Sequence, residues 1–391
     1  MRILYIDINT KHINPTANLL PIMLLNITND ITFYGPGFVN EEVVEEGILK
    51  FLKKHKPFEI VIYGPTCPML CQTGEEDIAN YCKINSANNF LHKSLLNFFK
   101  DVTHNFMNLE ISIQAISTLN YDYYSDPGKV LDIIDNNKLY LIGPNDKSMS
   151  LLRDLPTFAK KEKHYKRKYG KFSDRWFKYI SANPQRNITA LHFVSADELF
   201  FEPLNSRNYD VSVPGAEYYL REKAIRELKS SQFKIFPKTI FHFYRLLNSL
   251  KLKPYSYRFA LNYYNISFQN LLRNTKCIYT ARGGFGIPIR KFFEIPASGC
   301  LLICDPCIGF EDLGFLPNKN YIKAEPEKLI DKLNFWINNP NGQEVASAGR
   351  DLIFLKHSIK ARSEQIKNCL TKILLNEFSG SKWVKGQYII K

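Results

Sequence analysis

The residues best placed to do chemistry lie between Arg282 and Asp305. Arg290 and Lys291 come four and three residues before Glu294, a Pro-Ala-Ser-Gly turn follows, and an apolar run from Cys300 to Cys304 ends on Asp305. A carboxylate can accept hydrogen bonds from both hydroxyls of a ribose. An arginine can neutralise a diphosphate by a forked contact and a lysine can do so as a point charge. Upstream, Arg282-Gly283-Gly284-Phe285-Gly286 forms a glycine-rich loop. Glycine lets backbone N–H groups approach phosphate oxygens and adopts positive φ without a steric penalty. Gly215 follows a strand-like run and opens a helix that carries Arg221, a place where a phosphate can meet a helix N-terminus. Each feature also has a plainer reading. Arg290 and Glu294 can be an i,i+4 pair on a surface helix, contributing about a few tenths of a kcal/mol, and Gly215 can be an ordinary turn glycine.

These residues need a frame. Residues 2–8, 31–33, 58–63, 111–116 and 139–142 read as strands, with helical spacing over 41–54 and 91–102. Residues 191–194, 208–213, 277–281, 301–304 and 321–323 read as further strands. Helices are expected over 218–228, 239–250, 259–272, 329–337 and 359–373. Strands alternating with helices imply parallel sheets with crossover helices. The expected architecture is α/β: two Rossmann-like, doubly wound domains facing a cleft. Residues 1–205 would form the first domain, 206–375 the second and 376–391 a C-terminal tail.

Length and composition bound the possibilities. A chain of 391 residues is long for one core. The hydrophobic fraction of 45% and aromatic fraction of 14% argue for packed structure and against disorder. Fifty-two Lys and Arg against 38 Asp and Glu give a net charge of +14, which favours an anionic partner without selecting one. Residues 156–180, PTFAKKEKHYKRKYGKFSDRWFKYI, interleave basic and aromatic residues. Such a stretch can bind nucleic acid or an anionic membrane surface, or be a solvated surface loop with aromatic anchors. The pairs Cys67/Cys71 and Cys304/Cys307 have no nearby His or further Cys, so no zinc site is expected and the apolar-flanked cysteines read as core residues. No signal peptide is visible, and Leu19–Ile27 is too short to span a bilayer. The expectation is a cytoplasmic protein, with peripheral contact on the inner face of a membrane left open.

The segment Asn208-Tyr209-Asp210-Val211-Ser212-Val213-Pro214-Gly215, with Tyr219 and Arg221, resembles the start of the C-terminal domain in the CgeB-like (spore-maturation) glycosyltransferases. Residues 290–299, RKFFEIPASG, resemble the same family's most recognisable element, and Gly349–Gln365 its closing helices. Tyr34-Gly35-Pro36-Gly37 is similar to an early loop of the group. The resemblance covers residues 190–370 well and the N-terminal half loosely.

It implies the GT-B fold, with a nucleotide-sugar donor held mainly by the second domain and a glycan, lipid-linked or protein acceptor. Glu294 would hold the ribose; Arg290, Lys291 and the Gly283-Gly284 backbone would face the diphosphate. Gly215, Arg221, Arg282 and Ser298 complete the expected donor-binding set. His357 and Arg362 would be structural, a cap and a helix surface. The insertion 156–180 departs from the family pattern.

In a GT-B site, cations and helix N-termini can stabilise the leaving diphosphate, so neither a metal nor a cofactor is expected. No Asp-x-Asp triplet is present. An inverting reaction would need a base in the first domain, for which His12, Asp122 and Asp126 are the candidates. A retaining reaction would not. Two other readings remain: a sugar-nucleotide epimerase or binding protein of the same fold, and a basic nucleic-acid-binding protein. The last lacks any zinc-finger or RNA-recognition signature, so nucleic acid is not an expected partner.

Overall fold

A computed structural model of the chain describes residues 1–9, 19–67, 95, 97–98, 100–101, 109–118, 128–136, 138–143, 175–176, 178–190, 194–201, 206–215, 219–237, 243, 246–247, 250, 258–282 and 288–391. The candidates His12, Asp122, Asp126, Gly283 and Gly284 lie outside these residues, as do nearly all of the insertion and the expected boundary at 205.

The first sheet contains β1 (Ile3–Ile6), β2 (Ile31–Tyr34), β3 (Ile60–Tyr63), β4 (Ile113–Ser117), β5 (Tyr140–Ile142) and β6 (Asn187–Ile188). Its strands run in the order β2-β1-β3-β4-β5-β6 and every pairing is parallel. The strands are apolar at consecutive positions because both faces are covered. Ile3, Tyr5, Ile60 and Ile62 enter one cluster, while Leu4, Ile6, Val61 and Tyr63 enter the other. The helices of this half include α1 (Leu19–Leu25), α2 (Glu41–Glu46), α3 (Ile48–Lys53) and α4 (Gly128–Asn136). The single helix expected over 41–54 is broken between α2 and α3 by Gly47, whose φ is +85°. Residues 191–193 of the strand expected near 191–194 lie outside the described residues, and β6 is formed by Asn187–Ile188.

The second sheet contains β7 (Tyr209–Ser212), β8 (Thr275–Ala281), β9 (Leu301–Asp305) and β10 (Ile322–Lys323), all parallel, in the order β10-β9-β8-β7. Its helices are α5 (Tyr219–Lys229), α6 (Arg258–Asn274), α7 (Lys291–Ala297), α8 (Leu329–Trp336) and α9 (Pro340–Leu352). A π-helical turn at Ile353–His357 leads into α10 (Ile359–Leu374).

The C-terminal region departs from the sequence reading. Residues 359–375 were expected with the second domain, but the buried face of α10 (Ile366, Cys369, Leu370, Ile373) packs in the first sheet's core with Leu20, Leu24 and Ile3. Its apolar stripe has the period of a helix but carries no mark of which sheet it covers. The expected tail holds an antiparallel hairpin, β11 (Ser381–Val384) and β12 (Gln387–Ile390). Ser381 Oγ accepts from Thr189 N at 2.9 Å beside β6, and Gly386 N donates to Asp312 O at 2.8 Å in the second half, so the hairpin touches both. The chain also crosses between the halves at an isolated parallel β-bridge between Ser195 and Ser358. Ser195 N donates to His357 O at 3.0 Å and Ile359 N to Ser195 O at 3.2 Å.

His357 and Arg362 lie at this crossing. His357 is fully buried, with Nε2 2.8 Å from Leu313 O and Nδ1 2.9 Å from Arg362 Nη2. Burial and the neighbouring guanidinium hold its imidazole well below the usual range. The helix cap is Ser358, which accepts from Ala361 N, and not His357. Arg362 is not on a helix surface: it is completely buried, 5.0 Å from the Trp383 ring, and bonded to Gln365. Cys67, Cys277, Cys300, Cys304, Cys307 and Cys369 are buried free thiols, as expected of core residues.

Candidate active site

In a parallel sheet, the loops leaving the carboxyl ends of the strands share one edge, where open α/β folds bind ligands. Here Gly215 follows β7, Arg282 follows β8, and Asp305 ends β9. Arg290, Lys291 and Glu294 start the helix returning from β8. Residues spread from position 215 to position 305 are thus brought to one edge.

Gly215 is the pivot. Its φ is +102°, and a Cβ built there would stand 2.7 Å from Lys291 Cε and 2.9 Å from Arg221 Nη1. The backbone needs glycine for its torsion and for the approach of two cationic side chains. Arg221 is buried, and its Nη2 reaches Ala281 O at 3.4 Å, at the end of β8. Lys291 is half-buried with its ammonium 5.2 Å from the Phe268 ring centre. Burial pushes its pKa down to about 8, with Glu294 opposing and the like charges of Arg221 and Arg290 adding to the shift. Two cations, Lys291 and Arg221, gathered around a glycine at one edge suit a polyanion.

Glu294 is buried at 5% exposure, and its Oε1 accepts from Arg290 Nη2 at 2.8 Å. The i,i+4 pair therefore forms, but with its carboxylate inside the protein rather than on a surface helix. Arg290 Nε is buried without a hydrogen-bond partner among the described residues. A buried donor left in this state marks a place where a ligand oxygen would be welcome.

Two expected members stand differently. Arg282 is at the right edge, but its Nε is 2.9 Å from Asp305 Oδ2, so the strand-end carboxylate already holds it. Burial raises the Asp305 pKa while Arg282 opposes the shift. Ser298 does not join the site. It ends α7 at the amino edge of the sheet, where its Oγ donates to Ile295 O at 2.7 Å and its carbonyl accepts from Arg207 Nη2 at 2.8 Å. Seven helical residues separate the two ends of α7, about 10 Å. A cavity of about 540 Å³ also lies at that far edge, lined by Arg207, Lys276 and Trp336 among others. Its two cations are occupied, Arg207 by backbone carbonyls and Lys276 by Asp210, and it contains none of the donor-side residues.

One residue of the first half was not singled out by motif. Asp7 follows β1 at the sheet's carboxyl edge and is 2% exposed. Tyr5 Oη donates to its Oδ2 at 3.0 Å and Thr66 N to its Oδ1 at 3.2 Å. Burial pushes its carboxyl up to about 7, against hydrogen bonds from Ile8, Thr66 and Tyr5 that favour the ionised form. Gly64 packs so closely that a Cβ there would lie 2.2 Å from Asp7 Oδ2. The signal in the sequence was an acid inside an otherwise apolar strand.

Residues 196–368 match the family model described as glycosyl transferase-like. The solved structure of Anabaena HepE in complex with UDP-glucose superposes with a TM-score of 0.50 at 12% identity, over 95% of this chain and 100% of that one. HepE with UDP and glucose gives a TM-score of 0.51 at 10% identity over the same shares. The fold is GT-B. No curated protein matches the chain. Within the GT-B frame, the second sheet carries the glycosyl transferase-like sequence and the gathered cations, while Asp7 stands at the carboxyl edge of the first.

Proposed function

We propose that the protein transfers a sugar from a nucleoside-diphosphate sugar to an acceptor, with the donor held at the carboxyl edge of β7, β8 and β9. The observation that carries this reading is the convergence of Lys291 and Arg221 on the glycine at 215. That arrangement suits a ligand with concentrated negative charge. A diphosphate in contact with them supplies it, and the same contacts stabilise the charge that develops on the leaving group as the glycosidic bond breaks. Glu294, on the next turn of α7, is in the right relation to accept hydrogen bonds from the ribose, while Arg290 orients the carboxylate through its own bond. The HepE complexes contain UDP-glucose and UDP, which makes uridine diphosphate the first donor nucleotide to try. In this reading the cations do the work of a metal, and the group that receives the acceptor's proton, if one is needed, comes from the first half of the chain. The acceptor would be a glycan, a lipid-linked molecule or a protein, and the 156–180 insertion is suited by composition to an anionic membrane surface.

The decisive measurement is calorimetric titration with UDP and UDP-glucose, followed by the same titration of Glu294→Ala. Binding to the parent and at least about a tenfold loss in the variant, with melting temperature retained, is the expected result; tenfold corresponds to about 1.4 kcal/mol. Unchanged affinity in Glu294→Ala for every nucleoside diphosphate that the parent binds would refute the assignment of the ribose contact.

A further inference from the structure

The cavity at the amino edge of the second sheet has no part in donor binding, yet it is built like a ligand site. It forms where α8 ends and α9 begins. Trp336 closes α8, and Ile337-Asn338-Asn339 turn the chain into Pro340 beside the first residues of β8 and β9. Its volume of about 540 Å³ falls within the usual range for small-molecule sites, about 300–1,000 Å³. Cys277, Leu301 and Ala346 give it a buried apolar lining.

The groups left free there decide the ligand. Arg207 is engaged by the carbonyls of Leu272, Thr275 and Ser298. Lys276 is paired with Asp210 at 3.0 Å. The N-terminus of α9 is capped by Asn339, whose side chain accepts from Asn341 N. Positive charge is thus answered within the protein, and an anion gains little. The amides of Asn338 and Gln343 line the cavity from exposed positions and make no side-chain hydrogen bond to another described residue. Each amide offers both donors and an acceptor. Beside them Trp336 is half-buried and packs against the core of the second sheet. Phe335, 61% exposed, lies edge-on to it at 5.0 Å and prolongs the aromatic surface.

An aromatic surface beside free amides matches an amphipathic, uncharged ligand. A pyranose ring is one: it has an apolar face of C–H groups and a rim of hydroxyls that donate and accept. A purely apolar ligand would strand the amides, and an anion would find the cations taken. The geometry points to a second carbohydrate site in this cavity, one that holds a neutral glycan between Trp336 and the amides of Asn338 and Gln343. β8 is seven residues long, so about 20 Å separates this edge from the donor residues. A glycan held here would stay on the enzyme while leaving the donor edge open. That use rests on the glycosyl-transfer reading; the binding itself does not.

The test is titration of the full chain with cellobiose, maltose, lactose and chitobiose to about 10 mM, followed by tryptophan emission and by calorimetry. Of the three tryptophans, Trp176 and Trp383 are buried, so a ligand-induced change in emission reports Trp336. At least one sugar should give a saturable change, and should bind equally well when UDP is saturating. Gln343→Ala, at an exposed position outside the core, should lose about fivefold in calorimetric affinity for that sugar. Trp336→Ala should lose at least about tenfold. Both variants should keep the parent's UDP affinity. No emission change with any of the four sugars would overturn the inference. So would sugar affinity that survives both substitutions, or displacement of the sugar by UDP, which would put it at the donor edge. A parent that binds the sugar but not UDP would support this site while refuting the donor assignment.

Discussion

If Lys291 meets the donor diphosphate as its ammonium, affinity must fall as that ammonium loses its proton. An unperturbed lysine stays charged through pH 9. Lys291 is held at about 8 by burial and by Arg221 and Arg290, so its protonated fraction falls from about nine-tenths at pH 7 to about one-tenth at pH 9. Where only the protonated form binds well, the dissociation constant rises about tenfold over that interval, about 1.4 kcal/mol. The assay is calorimetric titration of UDP at pH 7, 8 and 9 on the parent and on Lys291→Arg, whose guanidinium stays charged throughout. The ligand's own titration is common to both proteins, so the ratio of their constants isolates the lysine. That ratio should change about tenfold. A constant ratio from pH 7 to 9 would refute the reasoning, and would place Lys291 beside the site rather than in it.

Gly215→Ala should weaken UDP binding more than it lowers stability, because the new Cβ would displace Lys291 and Arg221 as well as straining a φ of +102°; equal affinity by titration would show that the cations do not need that space. Asp7→Asn should flatten part of the stability–pH profile. A carboxyl raised to about 7 in the folded protein contributes stability that is fully present below the unfolded pKa of about 3.9 and is lost as pH rises toward 7. The variant should therefore gain on the parent by up to about 4 kcal/mol at pH 8 and match it near pH 4. Denaturant melts at the two pH values check this, and a difference that is independent of pH would count against it. Finally, if Arg221 and Lys291 neutralise the leaving group, EDTA should leave sugar transfer from UDP-glucose unchanged, measured as released UDP; loss of turnover that is restored by a divalent cation would contradict this.

Much of this organisation was legible because it follows from local pattern. Apolar runs ended by glycine and proline, such as Phe58–Tyr63 before Gly64-Pro65, become buried parallel strands because the sheets are covered on both faces. The shared carboxyl edge of β7, β8 and β9 was legible because a parallel sheet puts every strand's carboxyl end on the same side, so residues after three different strands had to meet. What could not be read was where along an element a residue stands in space. Ser298 is four residues from Glu294, yet it stands at the far end of α7, where its hydroxyl bonds Ile295 O and its carbonyl accepts from Arg207. The sequence equally hid the fate of Arg282, because its partner Asp305 ends a neighbouring strand. Arg362 carried a charge that suggested solvent; only the ring of Trp383, from a hairpin that was not foreseen, shows why it is inside.

The packing of α10 against the first sheet has a consequence for how the molecule comes into being. Ile3 and Tyr5 belong to the same core as Ile366, Leu370 and Ile373, and Thr189 is hydrogen-bonded to Ser381 across 192 positions of sequence. A ribosome releases the first half long before the helix that seals it. During that interval the face that α10 completes is covered only in part, by Leu19, Leu20, Met23 and Leu24 of α1, a state prone to mispairing. The earliest residues made are among the last to be enclosed, so the two halves cannot mature one after the other like beads on a string. Quality control of this protein has to wait for its final helix.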